Sequence, residues 1–230
     1  MTGVASSYQS IRDRICAAAT RAGRDPRDVR LLAAAKSQSV QALKDAIAAG
    51  VALVGENYVQ EAHEKKRQIE SAIEWHMIGH LQRNKVKAAV ELFDVIETVD
   101  SAALARELDK EGKKRAKTMR IFIEVNLAGE ESKTGIPKAQ LSTLLEEIAK
   151  LDSLRVEGLM TVPPYREDVE EVRPYFHELR ELREKVCQCG IPNIVPKELS
   201  MGMTHDFALA IEEGATIVRI GTALFGPRKN

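Results

Sequence analysis

The chain alternates short apolar runs with longer amphipathic runs along almost its whole length. The short runs have the length and composition of buried β-strands, whereas the apolar residues of the longer runs recur at helical spacing. We predict eight strands, at 29–35, 51–54, 74–78, 93–98, 120–125, 154–160, 197–199 and 216–220. The seventh is the weakest and rests partly on the need for an element at that point.

Helices are predicted between these strands, with one additional helix ahead of the first strand. The predicted ranges are 6–22, 39–49, 57–71, 82–92, 101–115, 136–150, 169–189 and 204–213. Ser39 can cap a helix that ends at Gly50. Pro137 falls in a predicted first turn, where its missing N–H costs little.

The spacing of the strands predicts the fold. Seven strand-to-strand steps between residues 30 and 216 average about 27 residues, close to the ~30 of a strand–helix–strand unit. Eight such units predict a single (β/α)8 TIM barrel that occupies residues 1–230 as one domain, with the extra helix before it. An open, doubly wound parallel sheet is the alternative.

Composition excludes several classes of protein. The 34 basic and 34 acidic residues balance, so no nucleic-acid partner is expected, and 4% aromatic residues are too few for a base-stacking platform. We expect no secretory signal and no membrane span, since no apolar stretch reaches the ~18 residues that a bilayer requires. Cys16, Cys187 and Cys189 match neither a disulfide framework nor a zinc site, which favours a reducing, cytoplasmic compartment.

In a barrel, functional groups gather where strands end, and phosphate groups favour the last two loops. Lys36 follows the apolar run LLAAA, so its amine could form a Schiff base at the barrel mouth; the alternative is a lysine that extends to solvent. The loop 200–204 and the pair Gly221 and Thr222 combine glycine with hydroxyl groups, which favours phosphate binding, although such residues also cap ordinary helices. Arg219 lies in an apolar strand and needs a partner, either a ligand or a structural salt bridge.

Three other segments are weaker candidates. The polar residues at 55–58 could line the mouth or cap a helix, and the long polar loop at 126–135 could be a lid or a plain loop. His76 and His80 are four residues apart, but in a strand–loop context rather than on one helix face. We therefore expect no metal site.

Seven motifs, in order along essentially the whole chain, carry a resemblance to a known family. They are LLAAAKSQ, VGENYVQE, WHMIGHLQRNK, ESKTG, GLM, LSMGMTHD and VRIGTALFG. In these motifs the chain resembles the pyridoxal 5′-phosphate (PLP) homeostasis proteins (YggS/PROSC-type), which implies the barrel of the alanine racemase N-terminal domain (PLP fold type III).

The resemblance implies PLP held as a Schiff base on Lys36 and a role in intracellular PLP (vitamin B6) homeostasis with little or no turnover. Arg219 would face the pyridine nitrogen, and the last two loops would bind the phosphate. The implied cofactor-binding residues are Lys36, Asn57, His80, Ser200, Met201, Gly202, Met203, Arg219, Gly221 and Thr222. No catalytic residue is assigned; PLP-dependent apo-enzymes are the expected protein partners, and a monomer is the expected state.

Two enzymatic alternatives stay open. A PLP-dependent amino-acid racemase needs a second acid/base, which in alanine racemase is a tyrosine delivered with the help of a C-terminal domain and a dimer partner. We expect no such domain, because the chain ends at Asn230 just after the last strand, and no tyrosine is evidently placed to substitute. A Schiff-base aldolase acting on a phosphosugar would also fit Lys36, Arg219 and the Gly–Thr corner.

Overall fold

The computed structural model describes residues 3–130 and 133–227. Glu131 and Ser132 of the ESKTG motif, and the final residue Asn230, lie outside the described residues. The strands in the described ranges are β1 (Arg30–Ala34), β2 (Leu53–Glu56), β3 (Glu74–Met77), β4 (Val95–Val99), β5 (Met119–Asn126), β6 (Ile136–Pro137), β7 (Leu154–Met160), β8 (Ile194–Ser200) and β9 (Ile217–Ile220).

Eight of these strands close into a parallel barrel. They follow the order β4-β3-β2-β1-β9-β8-β7-β5, and a further pairing of β4 with β5 completes the ring. The two-residue β6 pairs only with the end of β5, through Val125 and Ile136. The predicted (β/α)8 TIM barrel is therefore confirmed, and the open-sheet alternative is wrong.

Helices occupy the segments between the strands. They are α1 (Gly3–Arg21), α2 (Val40–Ala48), α3 (Val59–Lys66), α4 (Val86–Leu92), α5 (Ala102–Lys114), α6 (Leu141–Ile148), α7 (Arg173–Cys187), α8 (Phe207–Glu212) and α9 (Thr222–Phe225). The extra helix α1 packs against α2, α8 and α9. In the described part of the chain, no helix combines the length and the apolar character that a membrane crossing requires.

Side chains of the strands fill two separate layers. Successive strand residues point to opposite faces, so Leu32 points into the barrel while Leu31 and Ala33 pack outward under the helices. The interior layer consists of Leu32, Leu53, Val95, Phe122, Met160 and Ile217. These side chains fill the centre of the barrel, so a ligand can bind only at one of its two rims.

Several element boundaries differ from the predictions, and three of the differences are informative. Pro137 lies in β6, and the helix begins only at Leu141, after a 3-10 turn at Lys138–Gln140. The helix predicted at 204–213 begins at Phe207, because 204–206 form a turn. The weak seventh strand is longer than predicted and includes Pro196, which is tolerated because the register with β7 shifts at this point.

Candidate functional site

The strands end around a cleft at one rim of the barrel, which we call the mouth. The cleft has a volume of about 410 Å3 and opens among the segments that follow β1, β2, β3, β7, β8 and β9. The predicted site residues that line it are Lys36, Asn57, Met203, Arg219, Gly221 and Thr222. The predicted residues outside its lining are His80, Ser200, Met201 and Gly202.

Lys36 occupies a turn just beyond β1, and its half-buried side chain lines the cleft. Its Nζ lies 5.4 Å from the centre of the Tyr58 ring. Within the described part of the chain, no carboxylate lies at ion-pair distance from this ammonium. A partly buried amine without a carboxylate partner is available to an incoming carbonyl group.

Arg219 lies on β9 and is 5% exposed. Its Nη1 donates to the Ser200 carbonyl at 2.7 Å and to Ser200 Oγ at 2.8 Å, and its Nη2 donates to the Thr161 carbonyl at 2.8 Å. Burial lowers the pKa of this guanidinium, while the charges of Glu97 and Glu124 oppose the shift. The partners are neutral groups rather than the salt bridge that the sequence left open, so the cation is fixed in place beside the cleft.

Ser200 and Met201 belong to the barrel wall rather than to the mouth. Ser200 is fully buried, and its hydroxyl donates to Glu97 Oε2 at 2.5 Å while accepting from Arg219. The Met201 N–H donates to the Ile217 carbonyl. The predicted phosphate-binding roles of these residues stay predictions, and here both groups have partners within the protein.

The rest of the predicted phosphate loop does reach the mouth. Gly202 adopts φ +90°, and a Cβ there would lie 2.5 Å from the Ala210 side chain, so this bend requires glycine. Beyond the bend, Met203 and Thr204 line the cleft. Thr204 Oγ1 accepts from the Ala223 N–H at 3.3 Å, which joins the loop after β8 to the start of α9. The two predicted phosphate loops are therefore adjacent.

Sequence reasoning missed a pair of buried polar residues inside the barrel. His76 Nδ1 lies 2.6 Å from Glu97 Oε1, and both side chains are fully buried. Burial opposes protonation of His76, but hydrogen bonds to Glu74 and Glu97 outweigh it and raise its pKa. The signal was present in the sequence: Glu97 interrupts the apolar run VIETV, as Arg219 interrupts TIVRI.

His80 lies apart from both His76 and the cleft. Its half-exposed ring is 3.8 Å from Asp100, and it lines a neighbouring cavity of about 460 Å3. Asn57 lines both cavities and is the point where they meet. Its predicted role near a cofactor therefore has more geometric support than that of His80.

Two tyrosines lie at the mouth, although the sequence marked neither as a substitute for the acid/base of a racemase. Tyr58 contacts the Lys36 ammonium, and Tyr165 lines the cleft. The Tyr165 ring stacks on His205 with centroids 5.2 Å apart. No sequence pattern indicated this position, because Tyr165 lies in an irregular segment beyond β7.

Comparison with known proteins shows the family to which the chain belongs. The family "Alanine racemase, N-terminal domain" matches residues 7–229. The pyridoxal phosphate homeostasis protein of Aquifex aeolicus is 44% identical over 220 residues, covering 95% of this chain and 96% of that protein. The chain belongs to the alanine racemase N-terminal domain family and, within it, to the pyridoxal phosphate homeostasis proteins. This membership confirms the resemblance inferred from the seven motifs.

Solved structures agree with this assignment. PipY of Synechococcus elongatus PCC7942, a structure with PLP bound, superposes with a TM-score of 0.85 at 34% identity, over 97% of this chain and all of that one. Alanine racemase of Clostridium difficile 630 superposes with a TM-score of 0.73 at 16% identity, over 95% of this chain but 56% of that one. The second likeness shows the shared barrel alone.

Proposed function

We propose that this chain binds PLP in the mouth cleft, holds it as a Schiff base on Lys36 and serves PLP homeostasis with little or no catalytic turnover. The observation that carries the proposal is the convergence of Lys36, Arg219, Gly221 and Thr222 on one cleft. The relatives that carry the homeostasis name over their full length support it.

The donor set at the mouth fits the chemistry of PLP. The cofactor supplies a reactive aldehyde, an aromatic ring and a phosphate group. The Lys36 amine would bond to the aldehyde carbon, while Thr204, Thr222 and the backbone at Gly221 would hold the phosphate. Asn57 would line the ring, and His80, Ser200, Met201 and Gly202 are predicted contacts with less support because they lie outside the cleft lining.

Arg219 supports a carrier rather than an enzyme. Its guanidinium keeps its charge and its donors, and three hydrogen bonds fix it beside the cleft. A ring nitrogen that faces such a donor stays unprotonated, so the ring is a poor electron sink. Arg219 would therefore favour binding of PLP without stabilising a carbanion on it.

The decisive experiment is visible absorbance of the protein with added PLP, followed by borohydride reduction and peptide mapping. We expect a pyridoxyl adduct on Lys36 that is lost in Lys36→Ala. Lys85→Ala is the matched control, because Lys85 is also half-buried and lines the neighbouring cavity. An adduct spectrum that persists in Lys36→Ala would refute the assignment.

A racemase is the second candidate, favoured by the position of Tyr165 in the lining of the cleft. Tyrosine can act as an acid/base toward a substrate held on PLP. Exchange of the α-hydrogen of amino acids with deuterated water measures this activity without assuming a substrate. We expect no exchange above that of free PLP; exchange that is lost in Tyr165→Phe would favour the racemase.

The same proposal has four further parts. They are a single-domain organisation, a monomeric state, a cytoplasmic compartment and delivery of PLP to apo-enzymes. All three cysteines are exposed and unpaired, which suits a reducing compartment. Light scattering of the purified protein tests the monomer, and mixing the loaded protein with a PLP-free apo-enzyme under dilution tests delivery. A dimer in solution would contradict the monomeric state. Reactivation of the apo-enzyme no faster than with free PLP would contradict delivery.

A further inference from the structure

The turn that carries Lys36 adopts an unfavourable backbone conformation. Ser37 has φ +60°, a left-handed conformation that non-glycine residues in the described ranges share only at Ala116. Such a conformation costs free energy and persists only where surrounding contacts impose it. At Ser37 these contacts come from side chains of α3.

Lys65 holds the turn from the side of α3. Its side chain is buried, and its Nζ donates to the Ala35 carbonyl at 2.7 Å. The same ammonium pairs with Glu56 at 2.7 Å and with Glu61 at 3.2 Å. Lys65 does not line the mouth cleft, so it does not touch a ligand there.

Glu61, also on α3, binds the backbone on the C-terminal side of Lys36. Its Oε2 accepts the Ser37 N–H at 2.9 Å. The carbonyl that precedes Lys36 and the N–H that follows it are thus both bound to the same ion cluster. The Lys36 backbone between them has little freedom to rotate.

Glu56 completes the cluster at the end of β2. It is fully buried, and its Oε2 has no hydrogen-bond partner in the structure. Burial raises the pKa of Glu56, and the hydrogen bond and charge of Lys65 oppose that rise. An under-satisfied buried carboxylate is costly, so its presence beside the turn calls for an explanation.

We propose that Lys65, with Glu56 and Glu61, forms a positioning cluster that fixes the strained turn and aims the Lys36 amine into the cleft. The inference rests on the proposed function, since it assigns Lys36 as the residue that bonds PLP. The cluster acts through the Lys36 backbone and not by contact with the cofactor.

The test compares Lys65→Met and Glu61→Ala, which removes the acceptor of the Ser37 N–H, with wild type by two measurements. The first is labelling of Lys36 by formaldehyde and cyanoborohydride in the absence of PLP, mapped by mass spectrometry. The second is titration with PLP followed by absorbance. We expect Lys36 labelling to rise about threefold as the turn opens, with Lys85 labelling unchanged, and apparent PLP affinity to fall about tenfold.

Lys117→Met is the matched control. Lys117 also donates to backbone carbonyls, those of Val90 and Phe93, but outside the cleft lining. We expect neither Lys36 labelling nor PLP affinity to change in this variant. Lys65→Arg retains the charge and the donors, so it should recover most of the wild-type affinity.

The outcomes separate the inference from the proposed function. If wild type forms no adduct on Lys36, the proposed function fails, while the PLP-free labelling still tests the cluster. If wild type forms the adduct and Glu61→Ala matches it in both measurements, the positioning cluster is refuted. Should Lys65→Met fail to fold, Glu61→Ala and Lys65→Arg decide alone, since Glu61 is partly exposed and its removal leaves the Lys65–Glu56 pair intact.

Discussion

Among the described residues, charged side chains at one rim of the barrel pair with one another, whereas Lys36 at the other rim lacks a carboxylate partner. At the rim where the strands begin, which we call the closed rim, the charged residues are Arg30, Glu74, Arg120, Glu157 and Glu198. Arg120 pairs with both Glu74 and Glu157, the latter at 2.6 Å, and Arg30 pairs with Glu198 at 3.0 Å. At the mouth, the Lys36 ammonium has an aromatic neighbour and no carboxylate partner in the described ranges.

We interpret this difference as a division between paired residues of the barrel and residues available to a ligand. The arginines of the closed rim already have carboxylate partners, so they offer little to a ligand, and removal of one partner would leave the other unpaired. An unpaired cation at the mouth gains a counter-charge only when a ligand supplies one. The division agrees with the general location of barrel chemistry at the ends of the strands.

A chain of close polar contacts joins the two rims through the interior. Glu74 lies 3.5 Å from His76, His76 lies 2.6 Å from Glu97, and Ser200 links Glu97 to Arg219. Arg219 therefore belongs to both regions, since it lines the cleft and also ends a buried structural network.

The largest effect is expected at Arg219. Arg219→Met would leave the buried carbonyls of Ser200 and Thr161 without donors and remove one cation from the surroundings of Glu97, and should lower the free energy of unfolding by about 3–5 kcal/mol. Lys36→Met, at the same mouth, should cost no more than about 1 kcal/mol, because its contact with the Tyr58 ring is half-exposed. Urea unfolding without PLP measures both. Equal stability of the two variants would erase the distinction between them.

A smaller effect is expected at the closed rim. Arg120→Met removes the partner shared by Glu74 and Glu157 and should lower the free energy of unfolding by about 1–3 kcal/mol, reduced by solvent at this half-exposed site. PLP affinity should stay at the wild-type value. A variant of wild-type stability with weakened PLP binding would reverse the roles assigned to the two rims.

The barrel itself could be predicted from the sequence because each strand repeats the same local signal. Parallel strands buried on both faces give short apolar runs, and helices of similar length separate them. The strand at 154–160 matches its prediction residue for residue. Pro137 was misassigned because a proline fits the entrance to a helix and a short edge strand equally well.

The site was only partly predictable, because its contacts join residues far apart in sequence. Lys36 and Arg219 could be proposed from the sequence because each is a charge within or directly after an apolar run, and both line the cleft. The link from Ser200 to Glu97 spans 103 positions and depends on barrel closure, which no local pattern encodes. The positioning role of Lys65 was invisible for the same reason: VQEAHEKK is typical of any solvated helix.

The closed rim should also impose a pH dependence. A hydrogen bond from His76, together with the charges of His76 and Arg120, lowers the pKa of Glu74 to about 2 although burial opposes the shift. The stabilisation is complete above the ordinary value of 4.5 and is lost as the pH falls from there towards 2.

Comparison with Glu74→Gln tests this dependence. Wild type should lose about 1–2 kcal/mol more unfolding free energy than the variant over that range, allowing for solvent screening. Glu91→Gln, at an exposed position on α4, is the control and should follow wild type. Parallel curves for wild type and Glu74→Gln would contradict the assignment.

The smallest effect is expected for the contact between Lys36 and the Tyr58 ring at the mouth. The Tyr58 ring lies 5.4 Å from the ammonium, and a half-exposed cation–π contact is worth about 0.5–1 kcal/mol. A double-mutant cycle of Lys36→Met with Tyr58→Leu, measured by urea unfolding, isolates this coupling from the cost of each substitution. Tyr58→Phe retains the aromatic face and should keep the coupling. A coupling as large as that between Arg120 and Glu157 would mean that Lys36 is already partnered, and the contrast between the two rims would then fail.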